Sequence, residues 1–163
     1  MNLENTNIIY SSNQYKKILE EIDFYEKDRI FCKHNIEHFL SVARIMYIIS
    51  TEKNLNFNPD MIYTTALLHD LGRLDEYKYK ADHAISSIKE AEKFLKITNF
   101  SDIQKEIIKN AIKNHRGNLK KSENDIYSFV NVFKKADKLS RNCKMCSAKS
   151  ECYWKEKNEN ILY

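Results

Sequence analysis

Leu67-Leu68-His69-Asp70-Leu71-Gly72-Arg73 is an apolar run interrupted by an adjacent histidine and aspartate. Just upstream, Asn58 followed by Pro59 is a helix-start signal. Asn accepts a hydrogen bond from an orphan N–H, and Pro at the first helical position needs no acceptor. Met61, Ile62, Thr65, Ala66 and Leu68 then recur at helical spacing and carry that helix to His69. The pair therefore leaves a buried helix end offering a nitrogen and an oxygen ligand from one backbone turn. Imidazole suits Zn, Fe, Mn or Co and carboxylate favours harder ions such as Mg, so together they describe a site for a borderline divalent cation.

The same periodicity organises the rest of the chain. Tyr15, Ile18, Leu19 and Ile22, with Phe24 or Tyr25, predict a first helix after a polar, loosely packed stretch over 1–13. Ile36, Phe39, Leu40, Ala43, Met46, Tyr47 and Ser50 predict a second over 36–52. The helix ending at His69 is the third, and residues 71–81 read as a polar loop. A fourth helix spans about 82–96 with Ala84, Ile85, Ile88, Ala91, Phe94 and Leu95 inward. Ser101 with Gln104 three residues on is a capping box, and Ile103, Ile107, Ile108, Ala111 and Ile112 continue that fifth helix to His115. After a loop, a sixth helix runs from about Asp125 to Ser140 through Ile126, Phe129, Val130, Val132, Phe133 and Ala136.

No stretch alternates at period two, and two Gly and one Pro in 163 residues are too few for the turns of a sandwich or barrel. The expectation is all-α: a single domain over 1–163, built as a bundle of about six helices. Gly72 and Gly117 stand alone, which excludes P-loop and dinucleotide-binding fingerprints.

The five histidines, His34, His38, His69, His83 and His115, fall at helix ends or first turns of this map. Helix ends that converge can build a ligand cavity. Read in order, His38 lies within EHFLSVARI, His69 and Asp70 within ALLHDLGR, and Asp137 within KKADKLSR. In that order and context the chain resembles the HD superfamily of metal-dependent phosphohydrolases, whose signature is H…HD…D on a helical core. The resemblance covers about residues 34–141, leaving 142–163 as a cysteine-containing tail.

The resemblance implies that His38, His69, Asp70 and Asp137 bind one or two divalent ions (Fe, Mn, Co, Zn or Mg). It also implies that a metal-activated water cleaves a phosphoester or phosphoanhydride, with His69, Asp70, His115 and Arg73 as catalytic residues. Some members with two metals insert two further histidines before the last aspartate, and His83 and His115 occupy such positions. By that resemblance Asp70 would bridge two ions, His83 and His115 would hold the second, and His38, His69 and Asp137 the first. The other reading has His83 and His115 line the pocket or meet substrate phosphate. His34, four residues before His38, is read as a supporting or substrate contact.

Negative charge developing in such a reaction needs nearby cations, and Arg is suited to bidentate phosphate contact. Arg73, Arg116 and Arg141 each follow a proposed ligand by one to four residues, and Lys80 precedes His83. Lys80, Arg116 and Arg141 are the candidate phosphate contacts. The expected substrate is small, phosphorylated and of the nucleotide class, met by Tyr77, Tyr79, Asn118 and Lys120 in the flanking loops. Nucleic acid is not an expected partner. The same ligands would also serve a di-iron oxygenase, with O2 in place of water as reactant, or a non-catalytic metal-binding interaction module.

Residues 134–163 hold eight Lys/Arg against four Asp/Glu, a surplus equal to the whole-chain net charge of +4, so residues 1–133 are neutral. That surplus is either a solvated face or an attractor for phosphorylated ligands and acidic partners. Within it, Cys143, Cys146 and Cys152 form a C-x2-C-x5-C cluster. Three thiols do not complete a tetrahedral zinc site. Cys32 would supply the fourth, because it precedes His38 by six residues and Cys143 follows Asp137 by six. Structural zinc, an iron–sulfur cluster and free thiols all remain open for this group. Tyr153 and Trp154 are expected to pin the tail to the bundle. The N-terminus shows no basic-then-apolar signal pattern and the apolar runs are short, so the expected setting is cytoplasmic, with no membrane span and reduced thiols.

Overall fold

The computed structural model describes residues 2–116 and 128–153. Among these residues there are eight helices and no strand: α1 (Glu4–Ser11), α2 (Asn13–Tyr25), α3 (Ile36–Glu52), α4 (Pro59–Leu68), α5 (Arg73–Tyr79), α6 (His83–Leu95), α7 (Asp102–Asn114) and α8 (Phe129–Leu139). The chain is all-α, as the periodicity predicts.

Helix α4 is central because almost every residue from Asp60 to Leu68 is buried, and a helix apolar on all sides has to be surrounded. It packs against α1, α3, α6 and α7, and α8 closes the far side against α3 and α7. One core cluster joins Leu67, Leu68 and Leu71 to Tyr15, Phe94 and Ile112. The other joins Ile62 and Ala66 to Val42, Met46 and Phe133. His69 and Asp70, directly after α4, are thereby carried into the interior.

Capping fixes where the other helices begin, and with them the histidines. The Asn58 side chain accepts from Asp60 N at 2.8 Å, and Ser101 with Gln104 closes the predicted capping box. Asn35 accepts from His38 N at 3.1 Å, and Asp82 accepts from Ala84 N at 2.8 Å to set His83 at the first position of α6. An N-cap of this kind contributes about 1 kcal/mol.

Four sequence expectations change. Residues 4–11 are a docked helix rather than a loose stretch. The Asp60 carboxylate accepts from Asn5 N, Asn5 Nδ2, Thr6 N and Thr6 Oγ1 at 2.6–3.0 Å. The partner lies more than fifty positions away, beyond any local pattern. Within the expected 71–81 loop, Arg73–Tyr79 is helical. No residue of α5 is buried, so it lacks the apolar stripe that would reveal it; an Arg73–Glu76 ion pair at 2.7 Å and a left-handed Lys80 (φ 58) bound it instead. Helix α8 starts at Phe129, because Ser128 is an extended N-cap accepting from Asn131 N. Asp125 and Ile126, assigned to that helix, lie outside the described residues, as do Gly117, Asn118, Lys120 and Trp154. Ile85 and Ile103, assigned to inward faces, are 57% and 75% exposed. No described helix is long and apolar enough to cross a membrane.

Candidate metal centre

The C-terminal end of α4, the first turn of α3, the start of α6, the end of α7 and the last turns of α8 meet at one point. Two three-residue groups stand there: His38, His69 and Asp137, and Asp70, His83 and His115. Within each group the ligand atoms lie within 4.8 Å of one another. Asp70 reaches both groups. Its Oδ2 is 3.2 Å from His69 Nε2, and its Oδ1 is 3.7 Å from His83 Nε2 and 3.5 Å from His115 Nε2. Asp137 Oδ1 is 3.4 Å from His38 Nε2 and 3.9 Å from His69 Nε2.

The rings are aimed by what holds their Nδ1 atoms. His69 Nδ1 donates to Ala66 O at 2.8 Å and His115 Nδ1 to Ile112 O at 2.5 Å. Ser140 Oγ donates to Asp137 O at 2.7 Å, so at 3.1 Å it accepts from His38 Nδ1. His83 Nδ1 faces Glu76 Oε2 at 3.1 Å. With Nδ1 of His38, His69 and His115 protonated, their Nε2 lone pairs point inward, the arrangement in which an outer hydrogen bond fixes the tautomer of a ligating histidine.

His38 Nε2, His69 Nε2, His83 Nε2 and Asp70 Oδ1 are buried and have no hydrogen-bond partner among the described residues. A buried polar atom left so costs about 1–3 kcal/mol, and converging lone pairs would repel one another. A cation satisfies all of them at once. Four imidazoles and two carboxylates fit a borderline divalent ion, and the division into two groups, with Asp70 of one also 3.2 Å from His69 of the other, fits a pair of ions.

Burial and neighbouring charges set the protonation of these groups. Burial, and then His69, push His38 down to about 4. Burial and Arg73 push His83 down to about 4 as well. Burial opposes charge on His69, but Asp70 and Asp137 hold it above its ordinary value. Burial likewise opposes ionisation of Asp70 and Asp137, yet the neighbouring histidines, and for Asp137 the Arg141 guanidinium, keep both below the usual carboxylate range. The set is two carboxylates with at least two neutral imidazoles.

All six proposed ligands from the sequence are thus brought together, together with Arg73, whose Nε is 3.5 Å from Asp70 Oδ1. Arg141 Nη2 pairs with Asp137 Oδ2 at 3.2 Å. His34 joins them: its Nε2 is 3.7 Å from Asp70 Oδ2. Above this floor lies a cavity of about 800 Å³, whose lining includes Arg29, Arg73, Lys80, Arg116 and Arg141. Tyr77 lines it too, whereas Tyr79 is 73% exposed and stands away from the lining. Cys32 and Cys152 reach its wall, and with Cys143 and Cys146 they line an adjoining cavity. Tyr153 packs edge-on against Phe31, so that part of the expected tail contact is present.

Three residues absent from the sequence reading support the site. Glu26, buried, accepts from His34 N at 2.6 Å and faces His34 Nδ1 at 2.5 Å, and Tyr77 OH donates to it. Glu76 joins Arg73 to His83, and Ser140 carries His38. Ser140 shares a helical face with Asp137, and Glu76 shares one with Arg73, so both had a signal at i,i+3 spacing. Glu26 had none, because only the packing of α2 places it under the site.

Comparison with known proteins agrees with this geometry. The HD domain model matches residues 35–142. An uncharacterized protein of Clostridium beijerinckii is 41% identical over 159 residues, covering 98% of each chain. The crystal structure of a predicted HD superfamily hydrolase from an uncultured Thermotogales bacterium is similar, with a TM-score of 0.55, 24% identity, and coverage of 85% of this chain and 74% of that one. With its family match spanning both histidine–aspartate groups, the chain belongs to the HD-domain family.

Proposed function

We propose that the protein is a metal-dependent phosphohydrolase acting on a small phosphorylated substrate of the nucleotide class, at a phosphoester or phosphoanhydride bond. One observation carries this reading: His38, Asp70, His115 and Asp137, drawn from the two histidine–aspartate groups, line a cavity of about 800 Å³ whose wall is rich in arginine. A cavity of that size suits a small molecule, and cations above an anionic ligand set suit a phosphoryl group.

His38, His69 and Asp137 would hold one divalent ion, His83 and His115 a second, and Asp70 both. Ions held there would supply Lewis acidity toward phosphoryl oxygens and make water nucleophilic near neutral pH. The protein's own groups do the rest. Arg73, fixed by Glu76 at 2.7 Å, stands beside Asp70 where negative charge would gather. Arg116 and Lys80 face the same cavity from its rim and would orient the substrate phosphate. Arg141 holds the Asp137 carboxylate and lies in the same wall. Glu26 holds the Nδ1 proton of His34, so His34 presents Nε2 to Asp70 and to any water or leaving group there. The reading places the protein in the cytoplasm with reduced thiols.

The test is elemental analysis of protein purified without chelator, followed by assay on a panel of nucleotides and simple phosphoesters. Wild-type protein should retain divalent metal and release phosphate or pyrophosphate, and a His69→Ala/Asp70→Ala variant should lose hydrolysis and the metal held by the histidine–aspartate groups while keeping its helical circular dichroism. Hydrolysis by the double variant would overturn the site. A mixed-valent iron signal with O2 consumption and no hydrolysis would overturn the reaction class in favour of oxygenase chemistry. A chain that binds no metal under any loading condition would leave an interaction module.

A further inference from the structure

We propose that Cys32, Cys143, Cys146 and Cys152 form a second metal centre beside the first, a four-thiolate site of the size that holds an iron–sulfur cluster. All four thiols are free, half-buried and in the lining of a single cavity of about 450 Å³. The C-terminal three are delivered by consecutive turns: Cys146 N donates to Cys143 O, Lys149 N to Cys146 O, and Glu151 N to Ala148 O. The chain curls back on itself and returns Cys152 to the cavity it left at Cys143. Cys32 comes from the segment leading into α3, its carbonyl held by Arg29 Nε at 2.8 Å. Burial raises the Cys32 thiol, Arg141 counters this, and Cys143, Cys146 and Cys152 each add to the rise, so all three stand close enough to be felt.

Spacing separates a single ion from a cluster. Four sulfurs around one zinc, each about 2.3 Å from it, lie less than about 4 Å apart. Among the described residues, the groups whose ligand atoms gather within 4.8 Å are the two histidine–aspartate sets, and no three of the cysteine sulfurs do so. A polynuclear cluster binds its thiolates to different metal atoms and so takes them farther apart than one zinc does, and all four thiols line one cavity here. Charge agrees as well. Such a centre is anionic overall, and Lys33, Arg141 and Lys149 line the same cavity, which gives the basic C-terminal surplus a place in the structure.

The centre would act as a clasp. Cys32 stands two residues before His34 on the segment leading into α3, and Cys143 lies just beyond α8. His38 and Arg141 line both cavities, and Ser140 lines the second. A cluster bridging these segments would hold the Ser140–His38 and Arg141–Asp137 contacts in place.

Acid-labile sulfide reads this site alone, because iron held by histidine and aspartate releases none. Full-length protein purified without oxygen, or reconstituted with ferric iron, sulfide and a thiol reductant, should contain acid-labile sulfide and show thiolate-to-iron absorption. Cys32→Ser and Cys146→Ser should each lose the sulfide, whereas His69→Ala/Asp70→Ala should keep it, which separates this site from the one proposed to hydrolyse. Wild-type protein that yields no sulfide, or that carries only zinc released by Cys146→Ser, would overturn the cluster, and neither result depends on a variant folding. Retention of sulfide by Cys32→Ser would remove Cys32 and the clasp.

Discussion

Replacing Gly72 with alanine should damage one half of the metal centre through crowding alone. Gly72 has φ −66, an ordinary right-handed value, so alanine suffers no conformational penalty there. Space is the constraint. A Cβ at this position would meet His83 O at 2.2 Å, Ser87 N at 2.3 Å and Ser86 C at 2.8 Å, all of them backbone atoms of α6. To regain ordinary contact the first turn of α6 must retreat by about 1 Å, which also stretches the Gly72 N–Ser87 Oγ hydrogen bond of 3.0 Å. Overpacking of this kind costs about 1–3 kcal/mol, and the lost hydrogen bond about 1 kcal/mol. Restricting the unfolded chain returns about 0.4–1 kcal/mol, so the net loss is about 1–3.6 kcal/mol. The same retreat carries His83 away from Asp70, 3.7 Å across in the native site. Ligand distances are tolerant to only about 0.2 Å, so the ion held by Asp70, His83 and His115 should be lost while the ion held by His38, His69 and Asp137 stays. Urea unfolding with elemental analysis of the same sample reads both effects. A variant with wild-type stability and wild-type metal content would refute the reasoning.

His115→Ala removes one ligand of the Asp70 group and should lower metal content by about one ion per chain, measured by elemental analysis; an unchanged content would dissolve the pairing of His115 with the second ion. Asp60→Ala strips four donors of α1 of their acceptor and should cost about 2–3 kcal/mol in urea unfolding, whereas a neutral result would mean that α1 is not docked. Glu26 supplies a pH dependence. Burial opposes its ionisation, but the bonds from His34 and Tyr77 outweigh that and hold its carboxyl below the ordinary value. A folded pKa depressed in this way adds stability above the unfolded value and loses it as pH falls through the folded one. Glu26→Gln should therefore flatten the acid limb of the stability profile, and equal acid slopes for variant and wild type would exclude the contribution.

The fold class and most of the ligand set were legible because both rest on local signals. Asn58–Pro59 and the Ser101–Gln104 box start helices by satisfying orphan N–H groups, which takes only neighbouring residues. His69 and Asp70 are adjacent, and His38, His83 and His115 stand at helix ends that periodicity alone can locate. Helix α5 was not legible, because a short helix with no buried residue leaves no stripe in the sequence. Ile85 and Ile103 misled in the opposite way, lying at helical spacing yet on the solvent side of the stripe.

The amino-acid sequence by itself therefore determined that this chain is helical and that its histidines and aspartates sit where helix ends can meet. Tertiary structure alone decided which atoms face each other. The division of six ligands into two groups, with Asp70 in reach of both, depends on the angles at which α3, α4, α6, α7 and α8 converge. Tyr77 on Glu26, and Cys32 in one cavity with Cys143, depend on segments far apart in the chain. Caps and periods are read over a few residues, whereas a site made of side chains from five helices exists only once the core has set their positions.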